Sequence, residues 1–123
     1  MTVSAALLIL AAATATPPAV ASECPAVAGQ TLVYIQIFDG PPEKKADLAP
    51  DQTKKQGATT WNIWKLYAGP DGLYVNCSYG KTLAGPYDQT ETIKLPATAK
   101  TCRADFKIGP KPSDLTLTHF VCK

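Results

Sequence analysis

Cys102-Arg103-Ala104-Asp105-Phe106-Lys107-Ile108 alternates without a break. Cys102, Ala104, Phe106 and Ile108 fall on one face; Arg103, Asp105 and Lys107 fall on the other. That is the period of two of a strand buried on one side. Gly109-Pro110-Lys111-Pro112 then breaks the run, and Leu115 to Cys122 reads as a closing strand. Working back along the chain, the same grammar repeats. Thr31 to Phe38 (TLVYIQIF), Thr60 to Tyr67 (TWNIWKLY), Leu73 to Tyr79 (LYVNCSY) and Thr90 to Leu95 are strand-like, rich in β-branched and aromatic residues. Gly69-Pro70-Asp71-Gly72 is a strong turn, and it makes Thr60–Tyr67 and Leu73–Tyr79 a hairpin. Asp51 to Thr59 has no apolar alternation and reads as an exposed loop. Glu43 to Leu48, between prolines, has room for one or two helical turns. The expectation is a mainly β domain: a small antiparallel sandwich or partial barrel of about six strands with one short helical segment.

The N-terminus is different. No charged side chain occurs from Met1 to Ser22, and Ala5 to Ala15 (AALLILAAATA) has the length of a signal-peptide apolar region. Pro17 and Pro18 follow, and Ala19-Val20-Ala21 has the small-x-small form of a cleavage site. Residues 1–21 are read as a cleaved signal peptide and 22–123 as a single domain. The apolar run is shorter than the roughly 20 residues a membrane span needs, so no stable span is expected after cleavage. Glu23 immediately before Cys24 argues against lipid attachment there.

Four cysteines, Cys24, Cys77, Cys102 and Cys122, occur in a short exported chain, a pattern that reads as a disulfide framework. Free thiols and zinc are the rivals. Zinc sites favour close cysteine pairs, and here the nearest pair is Cys102 and Cys122. Four cysteines permit three pairings. Alternation places Cys77 with Leu73 and Val75, and Cys102 with Phe106 and Ile108, both on buried faces. Pairing Ile108 with Leu115 in the last hairpin sets Cys102 opposite Val121 and turns Cys122 outward. The reading therefore leans to Cys77–Cys102 and Cys24–Cys122.

Chemistry-bearing constellations are thin. The single histidine, His119, joins Leu117 and Val121 by alternation and reads as a hydrogen-bonded residue on a half-buried face. Asp39, Glu43, Asp47 and Asp51 recur at a spacing of four, but Lys44, Lys45 and the prolines make a solvated turn the plainer account. No metal or cofactor is expected, nor any catalytic residue. The net charge of +2 is too mild for a nucleic-acid binder. Trp64 reads as a core anchor. Trp61, Tyr67 and Tyr74 fall on the opposite faces of the expected hairpin and would make an outward aromatic patch suited to protein contact. With Asp39 and Glu43 of the neighbouring acidic stretch, they are the candidate interaction residues.

Cys24-Pro25, Phe38-Asp39-Gly40-Pro41-Pro42-Glu43, Leu48-Ala49-Pro50-Asp51, Trp64-Lys65-Leu66, Cys77-Ser78-Tyr79, Leu95-Pro96, Cys102 and Cys122 occur in order along nearly the whole mature chain. In these motifs the chain resembles an uncharacterised family of small exported bacterial proteins, with a shortened stretch after Cys24-Pro25. The resemblance implies a periplasmic or secreted setting and no activity. The function expected is a non-enzymatic binding module for another envelope protein, one form of which is an inhibitor or immunity-type protein. A small envelope hydrolase using Asp39 or Glu43 and a structural component of the envelope are the alternatives.

Overall fold

The computed structural model describes residues 21–123 apart from Ala68 and Pro112. The expected signal peptide, save Ala21, and the last residue of the Gly109–Pro112 turn lie outside the described residues. Eight strands form two sheets: β1 (Ala21–Ser22), β2 (Leu32–Asp39), β3 (Gln52–Gln56), β4 (Thr59–Lys65), β5 (Leu73–Gly80), β6 (Tyr87–Lys94), β7 (Thr101–Ile108) and β8 (Leu115–Cys122). The larger sheet has the order β1-β8-β7-β4-β3 and the smaller β2-β5-β6. Every pair is antiparallel except β1 with β8, where Ala21 faces His119 and Ser22 faces Phe120.

The inner faces of the two sheets meet in one core. Ile35, Ile37, Val75, Cys77 and Tyr79 come from the smaller sheet; Trp64, Ala104, Phe106, Leu117 and Phe120 come from the larger. Burying an aliphatic or aromatic side chain of this size contributes about 1.5–3 kcal/mol. Trp64, 5% exposed, is the anchor its sequence position implied, and its indole nitrogen donates to Leu48 O at 3.0 Å. Its polar edge is thus satisfied where it leaves the apolar interior.

Four readings are corrected by the structure. First, β4 and β5 are not a hairpin. The Gly69–Gly72 turn forms, with Gly72 N donating to Gly69 O at 3.1 Å. It carries the chain from one sheet to the other, because both edges of β4 are already occupied by β3 and β7. Second, residues 52–56 of the expected loop are strand β3. All five side chains are exposed, so no apolar alternation marks it. Backbone pairing with β4 through the two-residue Gly57-Ala58 turn, with Gly57 at φ +59°, makes it a strand. Third, among the described residues helix is confined to a 3-10 turn at Pro42–Lys44. Beyond it, Asp39 N donates to Ala46 O and Leu48 N to Ile37 O. The backbone groups that would extend a helix pair with β2 instead.

Fourth, the disulfides are Cys24–Cys77 and Cys102–Cys122, with Cα separations of 5.9 and 4.0 Å. The pairing expected from alternation fails because of one β-bulge. Ile108 does face Leu115, and Phe106 faces Leu117, but Asp105 faces His119, so Thr118 is the extra residue. The Thr118 hydroxyl donates to Asp105 O at 3.1 Å. A bulge advances every later residue by one and reverses its face. Cys102 therefore lies directly opposite Cys122, and both point inward. The same shift separates Leu117, which is in the core, from His119, which is exposed rather than half-buried. Cys24 is left to tie the segment ahead of β2 to β5, where the Tyr79 hydroxyl also donates to Pro25 O.

Candidate functional site

A sandwich leaves two outer sheet faces and the loops between them as contact surfaces. On the smaller sheet Tyr34, Gln36, Tyr74 and Asn76 of β2 and β5 are the half-buried residues that alternate outward, while Phe38 and Ser78, in the same alternation, are covered. This face is largely satisfied by itself. Tyr34 stacks on Tyr87 with centroids 5.9 Å apart and planes at 10°. The Ser78 and Thr90 hydroxyls lie 3.3 Å apart, Thr92 donates to Asn76 at 2.7 Å, and the Lys94 ammonium sits 5.7 Å from the Tyr74 ring centre. Burial pushes the Tyr34 phenol above its ordinary range, with the charge of Asp47 and then Tyr87 adding to it. Burial also raises Tyr87.

The outer face of the larger sheet is different. Trp61 and Ile63 of β4 alternate outward opposite Asp105 and Arg103 of β7. Lys54 of β3 lies opposite Trp61, and Val121 of β8 lies opposite Arg103. The Arg103 guanidinium rests 4.8 Å from the Trp61 ring centre, and its Nε donates to Asp105 Oδ1 at 2.6 Å. Its terminal nitrogens have no partner among the described residues. Trp61 and Ile63 are half-buried, and Val121 is 40% exposed. His119 stands on this face, opposite Asp105.

Of the acidic stretch, Asp47 lies at the edge of the smaller sheet, bridged to Phe38 and accepting from Gln36 at 3.5 Å, and the others lie outside the strands' outward faces. Asp39 and Glu43 are exposed, and Asp39 lies against the Gly69 backbone, where an added Cβ would come within 3.0 Å of its Oδ1. Lys44 pairs with Asp71 at 2.6 Å, and this hydrogen bond, then the charge of Asp71, raises the Lys44 pKa. Asp51 accepts from Lys65 N at 2.6 Å. Beside Asp47 an open cleft of about 170 Å³ is lined by Tyr34, Gln36, Leu48, Trp64 and Phe106.

The expected single aromatic patch therefore does not form. Trp61 and Tyr74 occupy the two opposite outer faces, and Tyr67, 79% exposed, lies in the connection between the sheets. The sequence had placed Trp61 and Ile63 together on an outward face, and Arg103 and Asp105 on another polar face. It had no signal that β4 pairs with β7, which is what brings these two sets together. Chemically, all four cysteines are bonded, which leaves no thiol nucleophile. Among the described residues, no group of three His, Cys, Asp or Glu side chains has metal-holding geometry, and no helix is long and apolar enough to cross a membrane. What this geometry offers is surfaces for contact.

No curated protein and no solved structure matches the chain. The family model for the type VI secretion system Tli immunity protein matches residues 26–123, which take in both sheets except β1 and three of the four bonded cysteines. The chain therefore belongs to the type VI secretion system Tli immunity protein family, and it is an immunity-type protein of the cell envelope.

Proposed function

We propose that this protein acts in the periplasm as a stoichiometric antidote, binding a partner effector protein and blocking its action on the cell that makes both. The observation that carries the reading is the extent of the family match. It runs from Ala26 to Lys123 and so takes in both sheets apart from β1. Three features support the compartment. The Ala5–Ala15 apolar run is followed, after Pro17 and Pro18, by the small-x-small site Ala19-Val20-Ala21. Both disulfides need an oxidising environment to persist. The fold also closes on itself around bonded cysteines, as a small exported domain requires.

The test is a competition between sister cells. A strain lacking the effector–immunity pair is mixed with its parent, whose type VI apparatus is active. An otherwise identical parent with the apparatus disabled is the control. The recipient lacking the gene is expected to be depleted only by the active parent. Exported protein supplied from a plasmid should restore survival, and a form beginning at Ser22 without residues 1–21 should not. Equal survival of recipients with and without the protein would contradict the reading, and protection by the non-exported form would contradict the compartment.

A further inference from the structure

We infer that the outer face of the larger sheet, centred on Trp61 and Arg103, is the surface that docks the partner effector, and that it meets an acidic patch on that protein. The inference rests on the antidote reading and specifies its interface.

Three observations carry it. The first is charge. By register, Lys54, Lys65, Arg103 and Lys107 share this outward face with one strand carboxylate, Asp105, which is already held by Arg103; Asp51, which accepts from Lys65 N, and Glu23, which accepts from Cys122 N, stand at the margins of the sheet. The rest of the face is threonine, glutamine, His119 and the apolar set Trp61, Ile63 and Val121. A face with this balance attracts a carboxylate-bearing surface and repels a basic one. The protein's overall charge of only +2 means that the bias is local.

The second is preorganisation. Arg103 is fixed between the Trp61 ring and the Asp105 carboxylate. Little side-chain freedom is left to lose on binding, while its terminal nitrogens remain available for a bidentate contact with a carboxylate. Asp105 is mostly covered, with 21% of its side chain exposed against 52% for Arg103, so the cation is the group on display. The third is residue type. A tryptophan and an arginine in contact, flanked by Ile63 and Val121 with lysines elsewhere on the same face, have the composition of an interface hot spot with a polar rim. The smaller sheet's outer face is more self-contained, since Tyr34 stacks on Tyr87, Lys94 covers Tyr74, and its hydroxyls and amides pair among themselves.

The test uses the same competition assay, with the effector delivered by the active parent as the probe. Recipients carry the exported protein as wild type, Trp61→Ala, Arg103→Glu, Arg103→Gln, or Lys54→Glu with Lys107→Glu. Tyr74→Ala and Lys94→Glu serve as controls on the other face. Folding is monitored by the amount of oxidised protein on non-reducing gels and by the unfolding midpoint. Arg103→Glu and the double lysine reversal should each reduce recipient survival at least tenfold with normal folding, Trp61→Ala should act similarly, and the two controls should protect fully. Full protection by all the larger-sheet variants, or loss of protection in the controls instead, would overturn the docking face while leaving the antidote reading intact. Failure of the wild-type protein to protect would overturn both.

Discussion

The two outer faces of the sandwich are built from the same alternation but spend their side chains differently. On the smaller sheet, Tyr34 stacks on Tyr87, Thr92 donates to Asn76 and Lys94 sits over Tyr74. These contacts serve the fold. On the larger sheet, Trp61 and Arg103 also touch, but the guanidinium keeps donors free and lysines share its face. One face is closed by its own chemistry, and the other is held ready for something else. The lesson is that an exposed aromatic acquires meaning from its cross-strand neighbours, which only sheet order reveals.

The disulfides differ in a parallel way, and their removal should give the largest effects on stability. Cys24–Cys77 closes 53 residues and joins the segment ahead of β2 to the smaller sheet, whereas Cys102–Cys122 closes 20 within one hairpin. Chain-entropy arguments assign about 4 kcal/mol to the first and about 3 kcal/mol to the second. Urea unfolding of the double alanine variants should show the larger loss for Cys24/Cys77, and the reverse order would break the contrast. Next in size is Tyr87→Ala. It removes the stack on Tyr34 and the hydroxyl contact with Leu83 O, and should lower stability by about 1–2 kcal/mol. Trp61→Ala on the other face should lower it by less than about 1 kcal/mol while abolishing protection. If the two tyrosine and tryptophan variants cost the same, the larger sheet's face is as structural as the smaller one's.

A pH titration sharpens the same comparison. Burial raises the phenols of Tyr34, Tyr79 and Tyr87 above 10.0; Asp47 and then Tyr87 add to it at Tyr34, and Glu91 adds to it at Tyr79. The unfolded chain therefore loses these protons first as pH rises. The stability they support is fully present below pH 10 and declines above it. Unfolding midpoints should be level between pH 7 and 9 and fall by pH 11, with a shallower fall in Tyr79→Phe. At the bottom of the scale, Asp71→Asn breaks the exposed pair with Lys44 and should leave the midpoint unchanged within error.

Much of the fold was legible from residues alone. Six strands were, because runs of β-branched and aromatic residues stand between turn signals and most of them alternate at a period of two. Trp64 was legible as a core residue for the same reason. β3 was not, since Gln52–Gln56 buries nothing and is a strand only through its partner. The disulfide pairing was not, because the shift turns on Thr118, whose residue type does not announce a bulge. The candidate docking face was half legible. Trp61 with Ile63, and Arg103 with Asp105, could each be assigned to outward faces. Joining them required the pairing of β4 with β7 across the 35 residues 66–100, and local pattern carries no such information.

The most direct test of the account places a photo-crosslinking amino acid at Val121, on the larger sheet's outer face, and separately at Thr92, on the smaller sheet's, in protecting recipient cells. Irradiation during attack should trap an adduct from position 121 that appears only when the attacker's type VI apparatus is active, and none from position 92. An attack-dependent adduct from position 92 alone, or none from either position in cells that are still protected, would contradict it.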